Sequence, residues 1–194
     1  MSLKLLAGDV ILTIPLKRPV CLPRFSQSAL CGLWTALWYG AAHVALFADK
    51  IVEQSMKDGI RTLDWKTFVT NECAVYRQFW IYVVRPKHIS KKNQQSLLQI
   101  VREYSVKKIP YDWKHAFTMP LITTTPYAHP EPNNLSLGTV CSALVAWFLK
   151  QAGVDIGRRS SIAFTPGTFL HSRKFKIISR TLYSDGRVIA VRDS

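Results

Sequence analysis

Read for its alternation of apolar and polar positions, the chain separates into stretches of two periods. The run "DVILTI", Asp9 to Ile14, opens after a glycine and gives way to prolines at 15, 19 and 23, which predicts a first strand. In "SQSALCGLWTALWY" the residues Leu30, Leu33, Trp34, Leu37 and Trp38 recur at helical spacing, with Ser26 or Ser28 as N-cap and Gly40 as the stop. "HVALFA" and "IVEQSM" predict two short strands about a tight turn at Asp49 and Lys50, and "GIRTLDWKTFV" leads on toward "FWIYVVRP". The unbroken apolar run of that last segment predicts a central strand. Leu97, Leu98, Val101 and Tyr104 fall on one face of a surface helix over 91–107, whose outer face is basic. The next stretch, "PYDWKHAFTMPLITTTPYAHPEPNNLSLG", has five prolines and no sustained period, and so predicts an irregular excursion of the kind that borders a site. A strongly apolar helix follows in "GTVCSALVAWFLKQAGV", and "FKIISR" with "GRVIAVR" closes the chain as a hairpin through "TLYSDG". Helices segregated from a mostly antiparallel sheet make an α+β fold.

Composition narrows this picture. A chain of 194 residues, 48% of them hydrophobic, can bury a substantial core as one domain over 1–194. Lys and Arg outnumber Asp and Glu by 26 to 12, and the net charge of +14 favours polyanionic surroundings: nucleic acid, anionic lipid headgroups or an acidic polymer such as murein. Cys21, Cys31, Cys73 and Cys141 form no CxxC pair, and none has a histidine at ligand spacing, so neither a structural zinc site nor any other metal or cofactor is expected. Four thiols in a domain of this size suit a reducing compartment. The opening "MSLKLLAGDVILTIPLKRP" is broken at Asp9 and lacks a small-residue cleavage site, so no Sec export is expected and the protein is placed in the cytoplasm of the producing cell. The apolar stretch Ser28 to Ala48 approaches membrane-spanning length, but it contains His43 and two glycines and reads as helix, break, strand; no transmembrane segment is expected.

Cys141 carries the chemical question. With Thr139 as N-cap it lies in the first turn of the apolar helix, where open backbone N–H groups and the helix dipole favour a thiolate and can also receive an oxyanion. A small buried thiol filling a core gap is the other reading, and the one kept for Cys21, Cys31 and Cys73. A nucleophile needs a base with an orienting partner. His88, His115, His129 and His171 stand beside Lys, Arg or Pro in segments that read as solvated loops, whereas His43 opens a β run in an apolar setting, where an imidazole must be bonded.

In order along the chain, "GDVILT", "GAAHVALF", "IVEQS", "WIYVVRP", "VKKIPYDW", "TVCSALVAWFLKQAGV" and "TPGTFLHS" resemble the segments of circularly permuted NlpC-type papain-like hydrolases. The resemblance spans nearly the whole chain. It implies a papain-like core in which the histidine precedes the cysteine, as His43 precedes Cys141, with Glu53 of "IVEQS" as the polar third residue. It also implies a cysteine peptidase or amidase. The family includes bacterial cell-wall peptidases, and its relatives include lipid acyltransferases. Tyr111 and Gln54 are candidates for the oxyanion site or cleft, and Trp34 and Trp38 for substrate or lipid contact. Three functions stay open at this point. The first is an amide hydrolase cutting peptidoglycan stem peptides, which as an effector toxin delivered to a target periplasm would have a cognate inhibitor or immunity protein. The second is a lipid-directed acyl hydrolase or transferase using the same site. The third is a nucleic-acid-binding module, motivated by charge alone and lacking a specific motif.

Strand parity bears on the third residue. A two-residue turn at Asp49 and Lys50 pairs Ala48 with Ile51 and puts Gln54 on the face of His43; a three-residue turn, Ala48 to Lys50, pairs Phe47 with Ile51 and brings Glu53 diagonally to His43. The chemistry favours the second, because a carboxylate both fixes the tautomer and supports the imidazolium.

Overall fold

The computed structural model describes residues 4–16, 41, 43–55, 57–116, 131–133, 135 and 138–193. Within them the strands β1 (Val10–Pro15), β2 (His43–Ala48), β3 (Lys50–Ser55), β4 (Gly59–Leu63), β5 (Gln78–Pro86), β6 (Phe175–Ser184) and β7 (Arg187–Asp193) join in one sheet. Its order is β4-β3-β2-β1-β5-β6-β7, antiparallel throughout. The helices are α1 (Trp65–Val75), α2 (Lys91–Ser105), α3 (Cys141–Gln151) and the short α4 (Pro166–His171), the last preceded by a 3-10 turn at Ser161–Ala163. The architecture is α+β, and "FWIYVVRP" is an inner strand, β5, between β1 and β6. The Trp-rich segment with Trp34, Trp38 and Cys31 lies outside the described residues, as do Cys21, His129 and most of the proline-rich excursion. Among the described residues no helix is long and apolar enough to cross a membrane.

Because side chains alternate along a strand, each strand feeds both faces of the sheet. Val10, Leu12, Val44, Leu46 and Val52 point to one face, where Leu144, Val145 and Phe148 of α3 and Leu97 and Val101 of α2 complete the core. Ser142 through Leu149 are all buried, which accounts for a helix apolar on every side. Each large side chain enclosed this way contributes about 1.5–3 kcal/mol. On the other face Ile11, Ala45, Ile51, Phe79 and Ile81 meet Phe68 of α1.

Two elements differ from the sequence expectation. The segment 65–75 forms a helix where a continuing meander was expected. Its β-branched residues Thr67, Val69 and Thr70 argue against a helix, yet Asp64 caps it, accepting from the Thr67 N–H at 2.7 Å, and burial of Phe68 against the sheet overrides local preference. "TLYS" belongs to β6 rather than to the hairpin loop, which contracts to Asp185 and Gly186. Both have positive φ, 48° and 78°, as a two-residue turn requires.

Candidate active site

The site is assembled first from three neighbouring strands. β2 and β3 pair Phe47 with Ile51 and Ala48 with Lys50, leaving Asp49 alone at the turn with φ 75°. This is the register that carries Glu53 to the face of His43. The His43 Nε2–H donates to Glu53 Oε2 at 2.9 Å. Arg61 lies directly across from Glu53 on β4 and donates from Nε to Oε1 at 2.7 Å, while its Nη1 reaches Asp58 at 3.1 Å. Glu53 is nearly enclosed, with 4% of its side chain exposed, and His43 keeps 20%.

The fourth group arrives from α3. The chain enters that helix along the segment 110–112: the Thr139 N–H donates to the Pro110 carbonyl at 3.1 Å, the Asp112 N–H to the Thr139 carbonyl at 3.0 Å, and Tyr111 bridges Thr139 in parallel. Gly138 permits the approach. Its φ is 111°, and a Cβ there would lie 3.1 Å from the Pro110 carbonyl oxygen. Held extended in this way, Thr139 does not serve as the N-cap expected of it. Val140 does, and Cys141 is the first helical residue. No side chain among the described residues caps the helix at this end, where the thiol lies. Cys141, half-buried, stands close enough to His43 that its thiol helps raise the imidazole pKa.

The electrostatics follow from these neighbours. Burial by itself would depress the His43 pKa, but the hydrogen bonds to Cys141 and Glu53 and the charge of Glu53 hold it well above 6.5. Burial likewise works against ionisation of Glu53, and is outweighed by the hydrogen bond and charge of His43 and by Arg61, which keep its pKa below the ordinary carboxylate value. The imidazole is therefore favoured in its protonated form beside the Glu53 carboxylate.

Beneath these groups α1 supplies a layer that sequence reading missed. The Phe68 ring stacks on His43 with centroids 6.2 Å apart. One helical turn on, Glu72 is buried, and burial raises its pKa against the opposing pull of the His43 charge. Tyr76, which ends the helix, is also buried. Its phenol pKa is pushed up by burial, then by Glu72 and by Cys141, which places it at the same end of the site. A signal existed in the i, i+4, i+8 spacing of Phe68, Glu72 and Tyr76, but it reads only once the segment is known to be helical.

The remaining candidates divide. Tyr111 stands beside the cysteine helix through its bridge to Thr139, its ring 4.9 Å from that of Trp113 and packed near Val140 and Ala143. Gln54 faces away from His43 and donates to the Ile109 carbonyl at 3.1 Å, anchoring the strand-like segment that carries Tyr111. His115 is not the solvated loop residue expected. It is buried in a short helical segment at 113–116, with Nε2 2.7 Å from the Ile162 carbonyl. His88 and His171 are exposed, and Cys73 is half-buried with its thiol pKa raised by burial. Compared with protein-family models, curated proteins and solved structures, the chain finds no match.

Proposed function

We propose that the protein is a cysteine hydrolase of permuted papain-like architecture that works through an acyl thioester. The observation that carries this reading is His43 bonded to Glu53 with the Cys141 thiol close enough to raise its pKa, the three side chains coming from three separate elements. Nδ1 of His43 takes the thiol proton, and the Cys141 sulfur attacks a carbonyl carbon. The open N–H groups at the start of α3 receive the oxyanion. Nδ1–H then protonates the leaving group, and a water activated by the same nitrogen releases the acid and restores the thiol. Glu53 keeps the proton of Nε2 in place throughout and supports the imidazolium, with Arg61 fixing the carboxylate.

The substrate class we assign is the amide bonds of peptidoglycan stem peptides, an acidic polymer suited to a chain of net charge +14. Digestion of purified muropeptides followed by mass spectrometry tests it: new amine and carboxyl ends with the wild type and none with Cys141→Ser support the assignment, and intact muropeptides refute it. Lipid acyl groups are the second reading, favoured by the exposed Val188, Ile189 and Val191 beside Arg187 and Arg192 on the edge strand β7. Release of fatty acid from anionic vesicles with no change in muropeptides would select it.

A further inference from the structure

On its α3 side the sheet is only partly covered where it runs out through β5 and β6 to the edge. Directly opposed residues on neighbouring strands share a face. Ile14, Trp80, Leu182 and Ala190 are successive partners across β1, β5, β6 and β7, an apolar row in which every side chain is half-buried. Beside it runs a second row, Tyr82, Arg180 and Arg192, half-buried at first and exposed at Arg192. Ile14 and Tyr82 pack against the core beneath α3, so both rows lie on the face of the cysteine helix. The Trp80 and Tyr82 rings stand 6.2 Å apart at 63°.

The second row is electrostatically incomplete. Arg180 lies over the Tyr82 ring, its Cζ 5.7 Å from the centroid, and Arg192 sits directly across from it on β7. Like charges opposed in this way repel, and among the described residues neither guanidinium has an ion-pair partner. Nε of Arg180 is buried without an acceptor, so the ring contact, and no hydrogen bond at that nitrogen, holds the side chain there. An anion on the paired guanidinium groups would relieve the repulsion, and the aromatic rings beside them offer it an apolar neighbour.

We propose that this surface is a binding subsite for a carboxylate-bearing glycan chain, with sugar rings against Trp80 and Tyr82 and an acid group on Arg180 and Arg192. Trp and Tyr join an apolar body to a polar tip, which suits the C–H faces and hydroxyls of a sugar, and guanidinium groups match the geometry of a carboxylate. The choice of glycan rests on the peptidoglycan reading of the site, since that polymer carries sugar rings and acidic stem peptides side by side. A single nucleic-acid strand fits less well, because it presents a phosphate at every nucleotide and needs a track of cations, whereas the row beside the arginines carries no charge. A bilayer fits less well too, because it takes up apolar side chains that project from the surface, and those of this row are half-buried.

Co-sedimentation of the Cys141→Ser protein with purified peptidoglycan sacculi tests the subsite without turnover. Trp80→Leu and Arg192→Met should each weaken binding by about tenfold, the scale of one lost charge-assisted contact. Lys91→Met removes the same charge from the exposed first turn of α2 and should weaken it by about twofold or less. Should Trp80→Leu fail to fold, Arg192→Met, at an exposed position, decides alone. No binding to sacculi, equal loss in Arg192→Met and Lys91→Met, or no loss in Arg192→Met overturns the proposal. So does a result in which Arg192→Met spares sacculi and weakens binding to polyuridylate or to phosphatidylglycerol vesicles. Sacculi bound through Arg192 by a protein that leaves muropeptides intact would uphold this inference and refute the amidase reading; muropeptides cut by a protein whose binding ignores Arg192 would do the reverse.

Discussion

The two faces of the sheet use the same strands for opposite purposes. Within β2, Val44, Leu46 and Ala48 turn toward α3 into an apolar layer, while His43 turns toward α1 and joins Glu53, Glu72 and Thr13. The neighbours Glu53 and Gln54 show how fine the division is. One bonds His43, the other bonds the Ile109 carbonyl on the opposite face, and a slip of one residue in the β2–β3 register would exchange them. On the α3 face stability comes from excluded water, and one hydrophobe can stand in for another of similar volume. On the α1 face buried charge is a cost unless every group is matched, and the chain His43–Glu53–Arg61 matches each to the next. The first face makes the fold, and the second holds the buried polar cluster of His43, Glu53 and Arg61.

Substitutions on each face should separate stability from chemistry. Cys141→Ser and His43→Ala are expected to abolish turnover in the muropeptide assay while circular dichroism shows an unchanged fold; retained turnover in Cys141→Ser would remove the mechanism. Glu53→Gln should lower turnover by about two to four orders of magnitude, because an amide cannot support the imidazolium. On the other face, Leu144→Ala should cost about 2–5 kcal/mol in urea unfolding through the cavity it leaves, with turnover per folded molecule preserved.

The next effect is smaller and depends on pH. The His43 pKa is raised in the folded state, so its contribution is fully present below about 6.5 and is lost as pH rises through the folded value; the Glu53 pKa is lowered, so its contribution is present above 4.5 and is lost as pH falls through the folded value. The stability difference between wild type and His43→Ala, measured by urea melts, should accordingly be largest between those two values and shrink on either side. Arg61→Met, which removes a partner that is 34% exposed, should cost about 1 kcal/mol or less and slow turnover less than Glu53→Gln does.

How much of this was legible beforehand depended on the kind of signal. Alternating strands and the apolar helix α3 announce themselves because burial imposes their periods, and the parity of β2 and β3 sufficed to bring Glu53 rather than Gln54 to His43 once the chemistry chose the register. The N-cap was misassigned by one residue because Thr139 is held by backbone pairing to the segment 110–112, a contact between positions far apart in the chain. Helix α1 was hidden by β-branched residues, and with it Phe68, Glu72 and Tyr76. His115 was misjudged because its basic neighbours suggest exposure, whereas its partner is a carbonyl at position 162. Local sequence carries propensity and period; the partners that bury a polar group are set by the tertiary fold.

Cys141 is proposed as a nucleophile because of where α3 begins and what His43 offers it. The most direct test is competitive alkylation of the native protein with limiting iodoacetamide, the modified thiols assigned by peptide mapping. Cys141 should be modified well ahead of Cys73, whose thiol pKa is raised by burial, and His43→Ala should remove most of this advantage. If Cys141 reacts no faster than Cys73, or if its rate is indifferent to His43, the site is not a nucleophilic one.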